Sequence, residues 1–186
     1  MSKPHHSRQH GVDPVLRTRA RRRALQAVYA WQMSGGDARE IVAQFAHEQA
    51  REIADLAYFE DLVHGVGRHV AELDTALAPH LDRTIDEVDP IERAALRIAA
   101  YELKHRIDVP YRVVLNEAVE TVKRFGSEHG HTYVNGVLDR LAADVRAVAR
   151  QVLEVLEIDF ADQAPDDEGE DIAEPLPTAE MPLRLT

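Results

Sequence analysis

Between Phe59 and Leu77 the chain repeats apolar residues at gaps of three and four: Phe59, Leu62, Val63, Val66, Val70, Leu73, Leu77. At about 100° per residue this keeps one helix face apolar for about five turns. A face that long must be buried against other elements, and nothing in the chain offers a sheet. Alternation at period two is absent, and no hairpin signal appears. The partners are therefore helices, and the fold class is all-α with six or seven of them. Gly65 and Gly67 lie inside the run; they weaken it and mark close packing against another helix. Pro79 ends or bends it.

The other helices have readable ends. Asp13-Pro14 supplies an N-cap and a first-position proline, and Ser34-Gly35-Gly36 supplies the stop. Residues 38–50 form a weaker helix with Ile41, Val42, Phe45 and Ala46 on its apolar side. Asp89-Pro90-Ile91-Glu92 resembles a capping box, with Asp89 as N-cap and Glu92 at N3. The helix after it is apolar on most of its surface and belongs in the centre. Asp108-Val109-Pro110 restarts the chain, and Gly126 stops the helix that follows. After a polar loop at 127–131, Val134, Val137, Leu138, Leu141, Val145, Val148, Val152 and Leu156 share a last helical face. Residues 1–13 read as a disordered extension, 14–158 as the helical domain and 159–186 as a disordered acidic tail.

Residues 17–33 combine two characters. Five arginines fall within seven residues (Arg17, Arg19, Arg21, Arg22, Arg23), and an apolar face follows with Leu25, Val28 and Tyr29. Arg17 and Arg21 lie on the same side as that face; Arg19, Arg22 and Arg23 lie on the other. An unpaired guanidinium is too costly to bury. The segment is therefore expected to be anchored from Leu25 onward and to protrude, or be loose, before it. Such an arm suits phosphate binding; a solvated, frayed helix start is the bland alternative.

The net charge of −11 conceals a polarity: residues 1–23 carry +6 and residues 159–186 carry −8. An acidic protein with one basic pole would grip a short stretch of nucleic acid in a salt-dependent way. The same polarity suggests a tail that folds back on the arm as an RNA mimic. The chain contains no cysteine, which excludes disulfides and thiolate metal sites and fits a reducing, cytoplasmic setting. No apolar run approaches a membrane span, and no secretory signal is visible.

Catalysis is not expected. Of the ten histidines, His47-Glu48 lacks the second histidine of a zinc-protease motif, and His64 and His69 are five apart, poor for one helix face. His129 and His131 have no nearby acid or thiolate to complete a tetrahedron. His5, His6 and His10 fit a floppy tail. Phosphate loops, nucleophile elbows and nucleotide fingerprints are all absent. Glu117 and Glu120 read as a solvated helix face. Neither cofactor nor metal is expected.

The order of motifs does resemble one family. Arg-Arg-Arg-Ala-Leu-Gln-Ala-Val-Tyr-Ala-Trp-Gln at 21–32 looks like the opening of the NusB family of bacterial transcription antitermination factors. Similar in the same way are residues 91–103 (Ile-Glu-Arg-Ala-Ala-Leu-Arg-Ile-Ala-Ala-Tyr-Glu-Leu) and 108–120, which open Asp-Val-Pro-Tyr. So are Phe-Gly-Ser-Glu at 125–128 and Tyr-Val-Asn-Gly-Val-Leu-Asp at 133–139. The match spans roughly 14–150.

That resemblance implies two three-helix bundles packed roughly perpendicular. It implies binding of the boxA element of ribosomal RNA leader and spacer transcripts. Pairing with ribosomal protein S10 (NusE in this role) and entry into an RNA polymerase antitermination complex with other Nus factors follow from it, as a monomer or weak homodimer. Carried over residue by residue, the RNA-binding set is Arg17, Arg19, Arg21, Arg22, Arg23, Tyr29, Ser127, His129 and Tyr133, with Tyr133 stacking an unpaired base. Glu92 falls on the S10 surface. Each has a plainer reading: Glu92 completes its capping box, Tyr29 is core with a wet hydroxyl, and Asn116 and Asn135 cap or bridge helices. The chain departs from the family at both ends, and at His129, where an acid is familiar. The same domain also resembles the N-terminal part of certain rRNA cytosine methyltransferases, which leaves an RNA-targeting or protein-interaction module as the alternative.

Overall fold

The structure is a computed structural model that describes residues 13–162. Expectations for residues 1–12 and 163–186, including the fold-back of the tail, lie outside the described residues. The chain divides into two units, 1–149 and 150–186.

Among the described residues there are six α-helices, two short 3₁₀ turns and no strand. The helices are α1 (Pro14–Ser34), α2 (Ala38–Ile53), α3 (Leu56–Leu77), α4 (Pro90–His105), α5 (Tyr111–Phe125) and α6 (Gly130–Asp162). The expected start signals work as local chemistry. Asp13 accepts from the Val15 N–H at 2.9 Å, and Asp89 accepts from Ile91 and Glu92. Each satisfies amide donors that the helix itself leaves orphaned. Gly35 closes α1 in the left-handed region at φ 67°, where a Cβ would be strained. One open alternative is resolved, and one boundary differs from the sequence reading. Pro79 lies in the 3₁₀ turn Ala78–His80 just past the end of α3, so it ends that helix rather than bending it. α6 continues to Asp162, four residues into the segment expected to be disordered.

α1, α2 and α3 pack on one another, and α4 packs on α1, α3 and α5. Phe59, Leu62, Leu73 and Leu77 of α3 are fully buried, as the spacing predicted. α4 is the central element: every residue from Ala94 to Glu102 is buried. The two glycines of α3 mark close approaches. A Cβ at Gly65 would run into the Tyr101 ring of α4, and one at Gly67 would come within 2.9 Å of the Ala38 Cβ of α2.

The main correction concerns α1. The apolar face does continue under the arginines, and the helix is formed from Pro14. Arg21 is 5% exposed. Its Nε donates to both carboxylate oxygens of Glu102 at 3.1 Å, and its Nη2 donates to Glu102 at 2.8 Å and to the Tyr58 hydroxyl at 2.7 Å. That hydroxyl also donates to Glu102. Arg17 donates from both Nη atoms to Asp108 at 3.2 Å, and its guanidinium lies 4.4 Å from the centre of the Tyr58 ring. Arg106 stands over the same ring at 4.9 Å and bonds Asp108 and Asp61. These guanidiniums lie against the body without prohibitive cost because each is paired with carboxylates. Burial works against the charge on Arg21, and hydrogen bonds and charge from Glu102 more than offset it, raising its pKa. Burial, reinforced by Glu102, pushes the Tyr58 hydroxyl far above its ordinary value.

Candidate nucleic-acid interface

A helix with five arginines in seven residues must point them in at least two directions. Here the division follows the 100° step. Arg17 and Arg21 turn inward with Ala24, Leu25 and Val28. Arg19, Arg22 and Arg23 turn outward and line an open groove of about 420 Å³, together with Gln26 of α1, Glu52 of α2, and Arg124 and Phe125 at the end of α5. Arg23 donates to Gln26 at 2.9 Å and pairs with Glu52. Among the described residues, the ion pairs of this region engage Arg17, Arg21 and Arg23 but not Arg19, Arg22 or Arg124. The groove thus holds four guanidiniums against one carboxylate. An anion that meets them restores the balance.

Arg124 was missed by the sequence reading. Its placement in the last turn of α5 reads equally well as a partner for the helix dipole. Only tertiary structure brings it opposite Arg19 and Arg22. Its guanidinium lies 5.5 Å from the centre of the half-buried Phe125 ring. That arrangement offers a cation and an aromatic surface side by side, the two features that hold single-stranded nucleic acid. Tyr29, 39% exposed, lies seven residues beyond Arg22. Seven residues is almost two turns, so Tyr29 points the same way as Arg22, outward beside the groove and not with the buried face expected of it.

The loop after α5 is braced from beneath. The Ser127 hydroxyl donates to Glu92 Oε1 at 2.5 Å. Glu92 is 7% exposed. A Cβ on Gly130 would collide with that carboxylate, so the first residue of α6 has no room for a side chain. The Glu92 carboxylate is therefore turned inward and fixes the loop. It does not complete the reciprocal capping box: its Oε1 accepts from Ser127, and Asp89 alone caps the helix start. His129 is exposed, and its carbonyl accepts from Thr132 and Tyr133 at the start of α6.

Tyr133 is half-buried against the core, and the Arg83 guanidinium lies 5.4 Å from its ring centre. Burial, then the neighbouring Asp82 carboxylate, raises its hydroxyl pKa. Its ring is a less open stacking platform than the sequence suggested. Asn135 donates to Asp139 one turn on, a local bridge. Gln32 ties α1 to α4 by donating to the Pro90 carbonyl at 3.0 Å and accepting from Arg97 at 2.9 Å.

Of the sequence-predicted RNA set, the structure gathers Arg19, Arg22 and Arg23 at one groove and sets Tyr29 beside it. It places Ser127 two residues beyond the Phe125 wall. It removes Arg21 to the interior and ties Arg17 to Asp108. In this region no third ligand joins His129 and His131 among the described residues. The cleft lined by Arg21, Glu102 and Thr121 is small, about 20 Å³, and offers no substrate-sized site.

Comparison with known proteins bears on this surface. A family model described as the NusB family matches residues 18–143. A transcription antitermination protein NusB of Xanthomonas axonopodis pv. citri (strain 306) is 72% identical over 152 residues, covering 80% of this chain and 96% of that protein. One from Xanthomonas oryzae pv. oryzae (strain PXO99A) is 73% identical over 145 residues, covering 78% and 93%. Among solved structures, antitermination factors NusB and NusE in complex with dsRNA match with a TM-score of 0.64 at 29% identity, over 70% of this chain and 98% of that one. The solution structure of NusB from Aquifex aeolicus matches with a TM-score of 0.61 at 28% identity, over 72% and 91%.

Proposed function

Because this chain belongs to the NusB family, we propose that it binds the boxA element of ribosomal RNA leader and spacer transcripts together with ribosomal protein S10, and so promotes processive rRNA transcription. The carrying observation is the groove of Arg19, Arg22, Arg23 and Arg124, where cation exceeds anion. The solved relative in complex with NusE and dsRNA supports NusE and RNA as partner classes; the single-stranded form is read from the groove. In this reading the groove arginines hold phosphates of an unpaired strand. Phe125 and Tyr29 offer faces to splayed bases, and the Ser127–His129 loop lies along the strand. Glu92 contributes by holding that loop through Ser127, while S10 supplies the other part of a composite surface. Single-stranded recognition fits this geometry, because side chains cannot read the deep, narrow major groove of duplex RNA.

The test is a titration of a boxA oligonucleotide against salt, with and without S10. Replacing Arg19, Arg22 and Arg124 by Ala should weaken binding. It should also lower the magnitude of the salt slope by about 2, at roughly 0.7 per lost contact to a single strand. An unchanged slope and affinity would remove the groove from the interface. Equal affinity for boxA and a scrambled strand in the presence of S10 would remove boxA.

A further inference from the structure

Two histidines that the sequence leaves far apart meet across α3 and α4. His69 and Glu72 stand one turn apart on α3, and His105 is the last residue of α4. None of the three lines the arginine groove. His69 Nδ1 lies 3.1 Å from one oxygen of Glu72, and His105 Nε2 lies 3.4 Å from the other. One nitrogen or oxygen from each residue falls within 4.8 Å of the others. A tetrahedral ion held at roughly 2.0–2.1 Å separates its ligand atoms by about 3.3 Å. Each imidazole nitrogen therefore stands about one tetrahedral edge from a Glu72 oxygen, His69 from one and His105 from the other, and rotation of the exposed side chains brings both nitrogens to a single oxygen. The imidazoles are also pre-positioned. Their ring centres are 4.4 Å apart, and both rest near the Tyr101 ring, whose hydroxyl donates to Asp61 at 3.0 Å.

We propose that His69, Glu72 and His105 bind one divalent transition-metal ion of the zinc class and thereby staple α3 to α4. Two imidazole nitrogens and one carboxylate oxygen suit Zn²⁺, Co²⁺ or Ni²⁺, whereas Mg²⁺ and Ca²⁺ favour all-oxygen sets. His69 uses its Nδ1 lone pair and His105 its Nε2 lone pair; the ring proton of each moves to the other nitrogen. Water fills the fourth position, since the site is open to solvent. The competitor is internal: Lys104 Nζ sits 2.9 Å from Glu72. Its flexible stem lets the ammonium leave as the cation enters, so the ion and Lys104 exclude each other.

The experiment is calorimetric titration of the full chain with Zn²⁺, in a background where His5, His6 and His10 are Ala so that the N-terminal histidines do not report. One equivalent should bind. Loss of an outer partner of a metal ligand already weakens binding by roughly 10–100-fold, so His105→Ala and Glu72→Gln should each weaken it by at least about 100-fold. Lys104→Gln should tighten it several-fold. Co²⁺ absorption in the unmutated ligand set should show nitrogen coordination, which does not depend on how the variants fold. Absence of stoichiometric binding, binding that survives the His69→Ala/His105→Ala double replacement, or an affinity unmoved by Lys104→Gln would each overturn the proposal.

Discussion

The ion pair between Arg21 and Glu102 should respond very differently to losing one partner and to losing both. Glu102→Gln keeps shape and removes charge. It leaves a guanidinium whose side chain is 6% exposed with the Tyr58 hydroxyl and the Glu117 carboxylate at 3.8 Å. Stripping one partner from a buried pair costs about 3–5 kcal/mol. Glutamine still offers one acceptor oxygen and Glu117 lies nearby, so about 3 kcal/mol is the expected loss. With a urea m-value near 2 kcal/mol/M, the midpoint falls by about 1.5 M. Arg21→Met with Glu102→Leu removes both charges and fills the space with apolar groups. It should regain part of the loss, with about 1–3 kcal/mol left for the Tyr58 hydroxyl that loses both partners, and a cycle built from Arg21→Met and Glu102→Leu should show positive coupling. The same doubly substituted protein should bind boxA RNA with native affinity and salt slope, because Arg21 does not reach the groove. A Glu102→Gln protein within about 1 kcal/mol of native would refute the structural role. A double variant whose RNA affinity drops as far as that of the groove variants would refute the division of labour along α1.

Two other perturbations have worked expectations. Gly65→Ala should destabilise by about 1–3 kcal/mol in chemical denaturation: the Tyr101 ring occupies the space and is held by Asp61, so overpacking outweighs the helix-propensity gain. Asp108, held at about 2 by hydrogen bonds from Arg106 and then Arg17, against an ordinary 3.8, has a depressed pKa. Its stabilising contribution is present above about pH 4 and is lost as pH falls toward 2. Asp108→Asn should flatten that part of the melting temperature–pH curve, by under about 1 kcal/mol since the side chain is half exposed.

The elements were legible because their signals are local. The 59–77 spacing names a helix face, and Asp13-Pro14 and Asp89-Pro90 are caps that work within three residues. The 100° step correctly sorted Arg17 and Arg21 from Arg19, Arg22 and Arg23. The error lay in what was inferred from that sorting. A guanidinium on the buried side reads as a conflict when its acid is unseen, and Glu102 is 81 residues away. The sequence shows each charge but not which charges meet. Glu92 misled in the same way: its N3 position suggests a reciprocal cap, while its actual partner, Ser127, lies 35 residues on.

The same asymmetry explains why the groove was half visible. Three of its arginines occupy one helix face, so periodicity assembles them without tertiary information. Arg124 and Phe125 belong to another helix whose apolar face, read alone, assigns Phe125 to the core and Arg124 to the helix end. Their role follows only from how α5 finishes beside α1. A surface built from one helix and the end of another is half readable by construction. The His69–Glu72–His105 group obeys the same rule. Its His-x-x-Glu half is a one-turn pattern on α3, and the histidine that would make it a chelate arrives only when α4 packs alongside.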